Sequence, residues 1–321
     1  PLKWNMGRGV LETLGIGFEL KEGDVAVRTN FCTLDPQGRI TDRRAGRIST
    51  EECARLSEML DSKVKLPGVK TFFRPVRDYR GAIVLRGKGL GADVADTDPQ
   101  VVGKKPLELQ AQDPESEKTK NLAEQFLSQA KEILKNQTPA NMLLLRGFAK
   151  FHRYPSFSEV YKLKACAIAQ YPMYRGLARL VGMEILEVGE ELEDLFTTLE
   201  QVWEKYTFFF VHIKKTDTAG EDGDWARKVE VIEAVDRLIP RVVALKPEVL
   251  VVTGDHSTPS KLKAHSFHPV PVLIWSENVR SDLAQQFGER ACLGGALGRF
   301  PMQYLMSLAM AYALKLKRFG A

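Results

Sequence analysis

The sequence predicts an α/β protein, a mostly parallel sheet with helices on both faces and a smaller α+β unit inserted near its start. Three observations predict it. From residue 137 onward, short apolar β runs alternate with helical segments, the rhythm of βαβ units. FFFVHI at 208–213 and VLVV at 249–252 are continuous apolar runs, the pattern of parallel strands covered on both faces. VAVRTNFCTL at 25–34 instead alternates, as a half-buried strand does.

In chain order, GVLETLG at 9–15 reads as a short helix closed by glycine. DPQG at 35–38 is a turn after the alternating strand, leading into a second short strand. Ser49 followed by Glu52 is a capping box that opens a helix over ECARLSEML, and VKTFFRPV and GAIVLRG add two strands. Asp113 with Pro114 forms an N-cap and first turn for a long amphipathic helix, apolar at Leu122, Phe126, Ala130, Ile133 and Leu134. The alternating part follows: strand ANMLLLRG, a loop through PSF, strand LKACAIA, helices YRGLARLVG and DLFTTLEQVWEKY, strand FFFVHI, helix WARKVEVIEAVDRLIP, strands EVLVVTGDH and VPVLIWS, and a last helix near 300–317. The expected division is 1–20 as the start of the core, 21–136 as the inserted α+β unit, and 137–321 as the metal-binding core.

Composition narrows the function classes. The 321 residues are 44% hydrophobic and 27% charged, ordinary for a globular chain long enough to bury a large core. A net charge of +5 and a pI near 8.9, with both signs interspersed, argue against nucleic acid and suit a small anionic substrate. Cys32, Cys53, Cys166 and Cys292 lie far apart with no CxxC spacing, so buried free thiols in a reducing cytoplasm are expected rather than a redox pair or zinc knuckle. No stretch approaches the roughly 20 apolar residues of a membrane span, and PLKWNMGRG carries no signal core.

The chemistry concentrates after the two continuous apolar runs. Asp217 and Glu221 in KKTDTAGEDGD, and Asp255 and His256 in VVTGDHSTP, would project from the C-terminal ends of strands, where open α/β sheets gather ligands. His265 in KAHSFHPVP lies only nine residues beyond His256. Carboxylates and imidazoles meeting from three loops suit hard or borderline divalent metals, and two such ions can clamp a phosphoryl group. Against this, D-x3-E within an acidic loop is also what a solvated helix cap looks like, and DH dipeptides are common. His152 and His212 lack such company and read as structural. In DRRAGR, Arg43, Arg44 and Arg47 form either an oxyanion cradle or an exposed basic turn. Arg146, Lys150 and Lys164 lie near strand ends with the same two readings open. The glycines of RGKGLGAD do not make a phosphate loop, since no GK[ST] follows.

Taken together, GRGVLETLG, GDVAVRTNFCTLD, DRRAGR, DTDP at 96–99, LLLRG, YPMYRGLARLVGME, KKTDTAGEDGD, TGDHSTP, HSFHPVPVLI and GRFP at 298–301 resemble the archaeal-type 2,3-bisphosphoglycerate-independent phosphoglycerate mutases of the alkaline phosphatase superfamily. The resemblance runs almost end to end. It implies an alkaline phosphatase-like core and interconversion of 3-phosphoglycerate and 2-phosphoglycerate in glycolysis and gluconeogenesis, using two divalent metal ions (Mn, Zn or Mg) and a phosphoenzyme on a Ser or Thr. Carried over by position, Asp217, Glu221 and His265 would hold one metal, and Asp255 and His256 would serve the second. Arg43, Arg44, Arg47 and Lys164 would meet substrate oxyanions. Position 221 is often His in the family, and Glu there is a harder ligand that favours Mn or Mg over Zn. Family members carry the nucleophile and a first metal-binding Asp ahead of GRG, so a chain starting at Pro1 is expected to lack them and to be close to inactive alone. The other readings are a phosphatase or phosphopentomutase of the same superfamily, and a non-catalytic binder of metal or phosphosugar. The expected setting is the cytoplasm, with phosphoglycerate as small-molecule partner, no nucleic acid, no membrane, and a homo-oligomer as the assembly to test.

Overall fold

A computed structural model describes residues 7–316, and the chain divides into two units: Pro1–Val188 with Tyr206–His212, and Gly189–Lys205 with Ile213–Ala321. The first unit holds α1 (Arg8–Gly15), β1 (Val25–Leu34), β2 (Ile40–Asp42), α2 (Thr50–Lys63), β3 (Lys70–Arg77), β4 (Arg80–Arg86), α3 (Glu117–Leu134), β5 (Met142–Lys150), α4 (Phe157–Tyr161), β6 (Ala165–Ala169), α5 (Pro172–Leu180), β7 (Glu184–Ile185) and β8 (Phe208–His212). The second holds α6 (Leu192–Val202), α7 (Lys215–Asp222), α8 (Trp225–Ala244), β9 (Leu250–Thr253), β10 (Val272–Trp275), α9 (Glu289–Cys292) and α10 (Leu305–Tyr312). The α/β class expected from the sequence is the class observed.

In the first unit β1 is the hub of an antiparallel sheet, ordered β2-β1-β4-β3 with β5 also paired to β1. Alternation along β1 marks two different covers rather than one wet face, because its first eight residues are all buried. Val25, Val27 and Phe31 pack with Ile83, Leu85, Phe73, Leu143 and Leu145 beneath Leu56 and Leu60 of α2 and Leu122, Phe126 and Leu134 of α3. On the other face, Ala26, Val84 and Ala149 meet Val10 and Leu14 of α1. ANMLLLRG therefore joins the antiparallel sheet as β5 instead of opening the parallel one. The parallel sheet of this unit is β7-β6-β8, with β6 buried throughout and β8 half-buried.

Local signals act largely as read. Asp113 Oδ1 accepts from the Ser116 amide at 2.7 Å in the turn before α3. Ser49 Oγ accepts from the Glu52 amide at 3.2 Å, but the Glu52 carboxylate turns to Arg55 (2.7 and 2.8 Å), so half of that capping box forms. PSF, read as loop, instead opens α4 with a complete capping box between Ser156 and Glu159.

In the second unit β9 and β10 pair antiparallel, Val272 opposite Thr253 and Trp275 opposite Leu250, and both are half-buried. VLVV was expected as a parallel strand covered on both faces. The chain leaves β9, makes an 18-residue excursion at 254–271 and doubles back as β10, which forces the antiparallel pairing. Helix α8 starts at Asp224, whose Oδ1 accepts from the Arg227 amide, and continues past Pro240 to Ala244. Arg241 forks onto Glu200 of α6 at 2.7 and 2.6 Å. The last helix is α10, and residue 317 lies outside the described residues. No helix among the described residues is long and apolar enough to cross a membrane. Burial pushes the thiol of Cys53 up to about 11 and that of Cys166 up to about 12, which keeps them protonated and inert.

Helices α1 and α5 touch backbone to backbone. A Cβ on Gly176 would collide with the Leu11 carbonyl, and one on Gly15 with the Pro172 carbonyl. Replacing Gly176 by Ala must separate the helices, so Gly176→Ala is expected to destabilise the chain by about 1–3 kcal/mol, the usual cost of overpacking, read from the midpoint of urea unfolding.

Candidate metal centre

Helix α7 and the excursion between β9 and β10 bring Asp217, His256 and His265 together, with one ligand-type atom from each lying within 4.8 Å of the others. His265 Nε2 is 3.5 Å from Asp217 Oδ1, and His256 Nδ1 is 3.9 Å from the same oxygen. The two imidazoles stack with centroids 3.8 Å apart. Glu221, one helical turn beyond Asp217, places Oε1 3.6 Å from His265 Nε2, and Asp255 places Oδ2 3.5 Å from His256 Nε2. Glu221 and Asp255 thus flank a central trio from opposite histidines.

Local structure explains the convergence. Gly220 packs flush on the excursion, since a Cβ there would collide with the Thr258 carbonyl. Lys228 of α8 donates to that carbonyl at 2.7 Å, and Ser266 N–H donates to Ser257 O at 2.9 Å, closing the excursion on itself. Thr258, only 4% exposed, donates its hydroxyl to Asp217 Oδ1 at 2.5 Å and lies 3.0 Å from His256 Nδ1. One hydroxyl has one proton, so with Asp217 taking it, His256 must donate from Nδ1, and the Nε2 lone pair points outward. That tautomer is the one a metal ligand needs.

Lys214, three residues before Asp217, pairs with Asp217 Oδ2. Burial alone would raise the Asp217 pKa, but hydrogen bonds from Lys214 and Thr258, with the nearby charges of Lys214 and His256, hold the carboxyl below its ordinary range. A charged carboxylate beside two imidazoles is a donor set that borderline divalent cations accept. The residues present therefore fit a metal.

The other sequence-marked groups lie elsewhere. Arg43 is engaged, its Nε and Nη2 forking onto Asp98 at 2.8 and 2.7 Å, and Arg146 reaches the same carboxylate at 3.3 Å. Arg44 and Arg47 are exposed, on a turn that Asp42 holds by accepting from the amides of Arg44 and Gly46, both at 2.7 Å. Lys164 is exposed beside the Tyr206 ring, its Nζ 5.0 Å from the centroid. His212 stacks on Tyr174, His152 pairs with Glu22, and His268 lies against Ser266 and Phe267. Sequence reading missed Lys214, although the KxxD spacing puts it one helical turn from Asp217, and missed Lys228, for which the sequence carries no signal.

Fold and donor set define a metal-dependent α/β enzyme, and the Metalloenzyme superfamily profile matches residues 82–312, which implies divalent metal ions. The profile of 2,3-bisphosphoglycerate-independent phosphoglycerate mutase matches residues 1–141. The "probable 2,3-bisphosphoglycerate-independent phosphoglycerate mutase" of Thermotoga neapolitana is 50% identical over 322 residues, covering 100% of this chain and 80% of the relative. The protein of the same description from Aquifex aeolicus is 47% identical, covering 100% and 81%. Among solved structures, a Pyrococcus horikoshii protein matches with a TM-score of 0.82 at 27% identity, over 98% of this chain and 80% of that one. The cofactor-independent phosphoglycerate mutase of Thermoplasma acidophilum matches with a TM-score of 0.69 at 27% identity, over 97% and 82%. The chain belongs to the 2,3-bisphosphoglycerate-independent phosphoglycerate mutase family.

Two outcomes are expected. By isothermal titration, Asp217→Asn and His265→Ala should each weaken manganese binding at least about 100-fold, and Thr258→Val about tenfold, the range for a group that only orients ligands. Because the Asp217 pKa is depressed on folding, its stabilisation is present above the unfolded carboxylate pKa and lost as pH falls through the lower folded one. In acid titrations of metal-free protein, Asp217→Asn should therefore remove part of the loss of stability below about pH 4.

Proposed function

We propose that the chain acts as a phosphoglycerate mutase, interconverting 3-phosphoglycerate and 2-phosphoglycerate with two divalent metal ions and a phosphoenzyme intermediate, in the cytoplasm as part of glycolysis and gluconeogenesis. The observation that carries the reading is the convergence of Asp217, His256 and His265, with Glu221 and Asp255 at its edges, in a chain 50% identical to a probable mutase along its whole length. Asp217, Glu221 and His265 are assigned to one ion, and Asp255 and His256 to the second. When bound, such ions supply charge neutralisation and Lewis acidity to a phosphoryl group. The protein's own part is to hold the donors ready: Thr258 fixes the His256 tautomer and Lys214 keeps Asp217 ionised.

Ser257 and Thr258 are committed to these supports, Ser257 donating to His268 O at 3.2 Å, so neither is assigned as nucleophile. Arg44, Arg47 and Lys164, exposed and cationic, are the proposed contacts for substrate oxyanions, with Arg43 offering the N–H groups that Asp98 does not take. With the proposal goes the division into 1–20, an inserted α+β unit at 21–136 and a metal-binding core at 137–321; β1, β4, α2 and α3 of the inserted stretch share an apolar core that β5 also joins. The buried thiols of Cys32, Cys53 and Cys166 suit a reducing compartment.

The test is an enolase-coupled assay of the protein with manganese, alongside ribose 1-phosphate and p-nitrophenyl phosphate. Metal-dependent turnover of 3-phosphoglycerate, lost in Asp217→Asn, is expected; turnover of only the other esters would replace the mutase reading with a phosphopentomutase or phosphatase. A second outcome concerns Glu221, whose hard oxygen selects manganese or magnesium. Glu221→His should raise zinc affinity relative to manganese by about tenfold in competition titrations.

A further inference from the structure

Beneath α1, the face of the first unit's sheet changes character along its length. Ala26 and Val84 pack under α1, but two residues further on the same face carries Arg28 on β1, and beyond it Asn30, Arg80 on β4 and Arg146 on β5. Arg28 stands directly opposite Arg146, and Asn30 directly opposite Arg80. Cross-strand pairing of like charges opposes folding unless anions answer it. Two answers are present: Glu12 of α1 meets Arg28 at 3.3 Å, and Asp96 and Asp98 meet Arg146 at 3.5 and 3.3 Å.

Arg80 has no such answer. It makes no ion pair among the described residues; its contacts are the neutral hydroxyl of Tyr79 at 3.3 Å and the Tyr79 ring, and its Nε is buried without a hydrogen-bond partner. Arg28 Nε and Glu12 Oε2 are likewise buried without one, on side chains only 6% and 2% exposed. Glu12, Arg80, Arg77 and Tyr171 line a cavity of about 10 Å³, room for a single oxygen-sized atom. A buried guanidinium N–H facing a cavity of that size calls for a hydrogen-bond acceptor in it.

We propose that Arg80 is the seat for one oxyanion group of a small phosphorylated hydroxy acid. The inference rests on the phosphoglycerate reading and adds to it a binding residue outside DRRAGR. A carboxylate or phosphate oxygen in the cavity satisfies Arg80 in the charge-assisted geometry a guanidinium favours. Glu12, paired with Arg28, forms another wall of the same cavity.

The experiment is calorimetric titration of the manganese-loaded chain, as wild type, Arg80→Gln and Arg80→Lys, with 3-phosphoglycerate, D-glycerate and glycerol 3-phosphate. Arg80→Gln should bind 3-phosphoglycerate roughly tenfold or more weakly, and Arg80→Lys, which keeps the charge but not the fork, should fall between it and wild type. Manganese affinity should be unchanged in both, which separates loss of this seat from loss of fold. If the defect is shared by D-glycerate the seat takes the carboxylate, and if by glycerol 3-phosphate it takes the phosphate. Equal 3-phosphoglycerate affinity in all three proteins overturns the inference while leaving the functional reading intact. Wild-type protein that binds 3-phosphoglycerate through Arg80 but never turns it over in the enolase-coupled assay overturns the functional reading and leaves the seat standing. Should Arg80→Gln not fold, Arg80→Lys alone decides between these outcomes.

Discussion

A threonine hydroxyl carries one proton, and the arrangement of the candidate metal centre follows from where Thr258 sends it. Given to Asp217, it obliges His256 to donate from Nδ1 and leaves Nε2 for a ligand. The same residue is held from behind, by Lys228 on its carbonyl and by Gly220 packed against its backbone. A loop of 18 residues between two short strands would otherwise be a poor platform for ligands, because ordering it costs conformational entropy and exposed loops move. Its attachment to α7 and α8 through one residue makes the histidines part of a helical frame.

Charge sets a second requirement. Asp217 is flanked by Lys214, so the carboxylate stays ionised although burial works against it. Asp255 and Glu221 stand further out, each against one histidine, where water can still solvate them. A centre built this way keeps one firmly held anion and two adjustable ones, which suits ions whose coordination changes as a substrate arrives.

The first unit answers charge in the opposite manner. Its strand β1 lies buried on both faces, apolar toward α2 and α3 and apolar toward α1 until Arg28. Burying arginines in neighbouring strands gains nothing for the core, since desolvation offsets most of what ion pairing returns. Arg43 and Arg146 share the buried carboxylate of Asp98, while Arg80 has no carboxylate of its own among the described residues. Polar groups placed where packing would favour leucine mark a surface shaped for something other than stability.

Much of this protein was legible in its sequence. Periodicity and caps located the α/β class, the amphipathic α3 with its Leu122, Phe126, Ala130 and Leu134 stripe, and the turn at Asp113, because these are short-range properties of the chain. Residue chemistry singled out Asp217, His256 and His265, which the fold brings together, and Glu221 and Asp255, each beside one of the histidines, because few side chains bind divalent metals. Pairing partners were decided only by the tertiary structure: β5 crosses to β1, β9 doubles back onto β10, and the alternating β1 acquires a second apolar cover, none of which local pattern encodes. So were the partners of charge. DRRAGR reads as three equivalent arginines, yet Arg43 belongs to Asp98, 55 residues away, and Arg28 finds Glu12 only because α1 packs over β1. Sequence determines which groups are available, and long-range packing decides which are already spent on each other, since an ion pair depends on distances that only the folded chain sets.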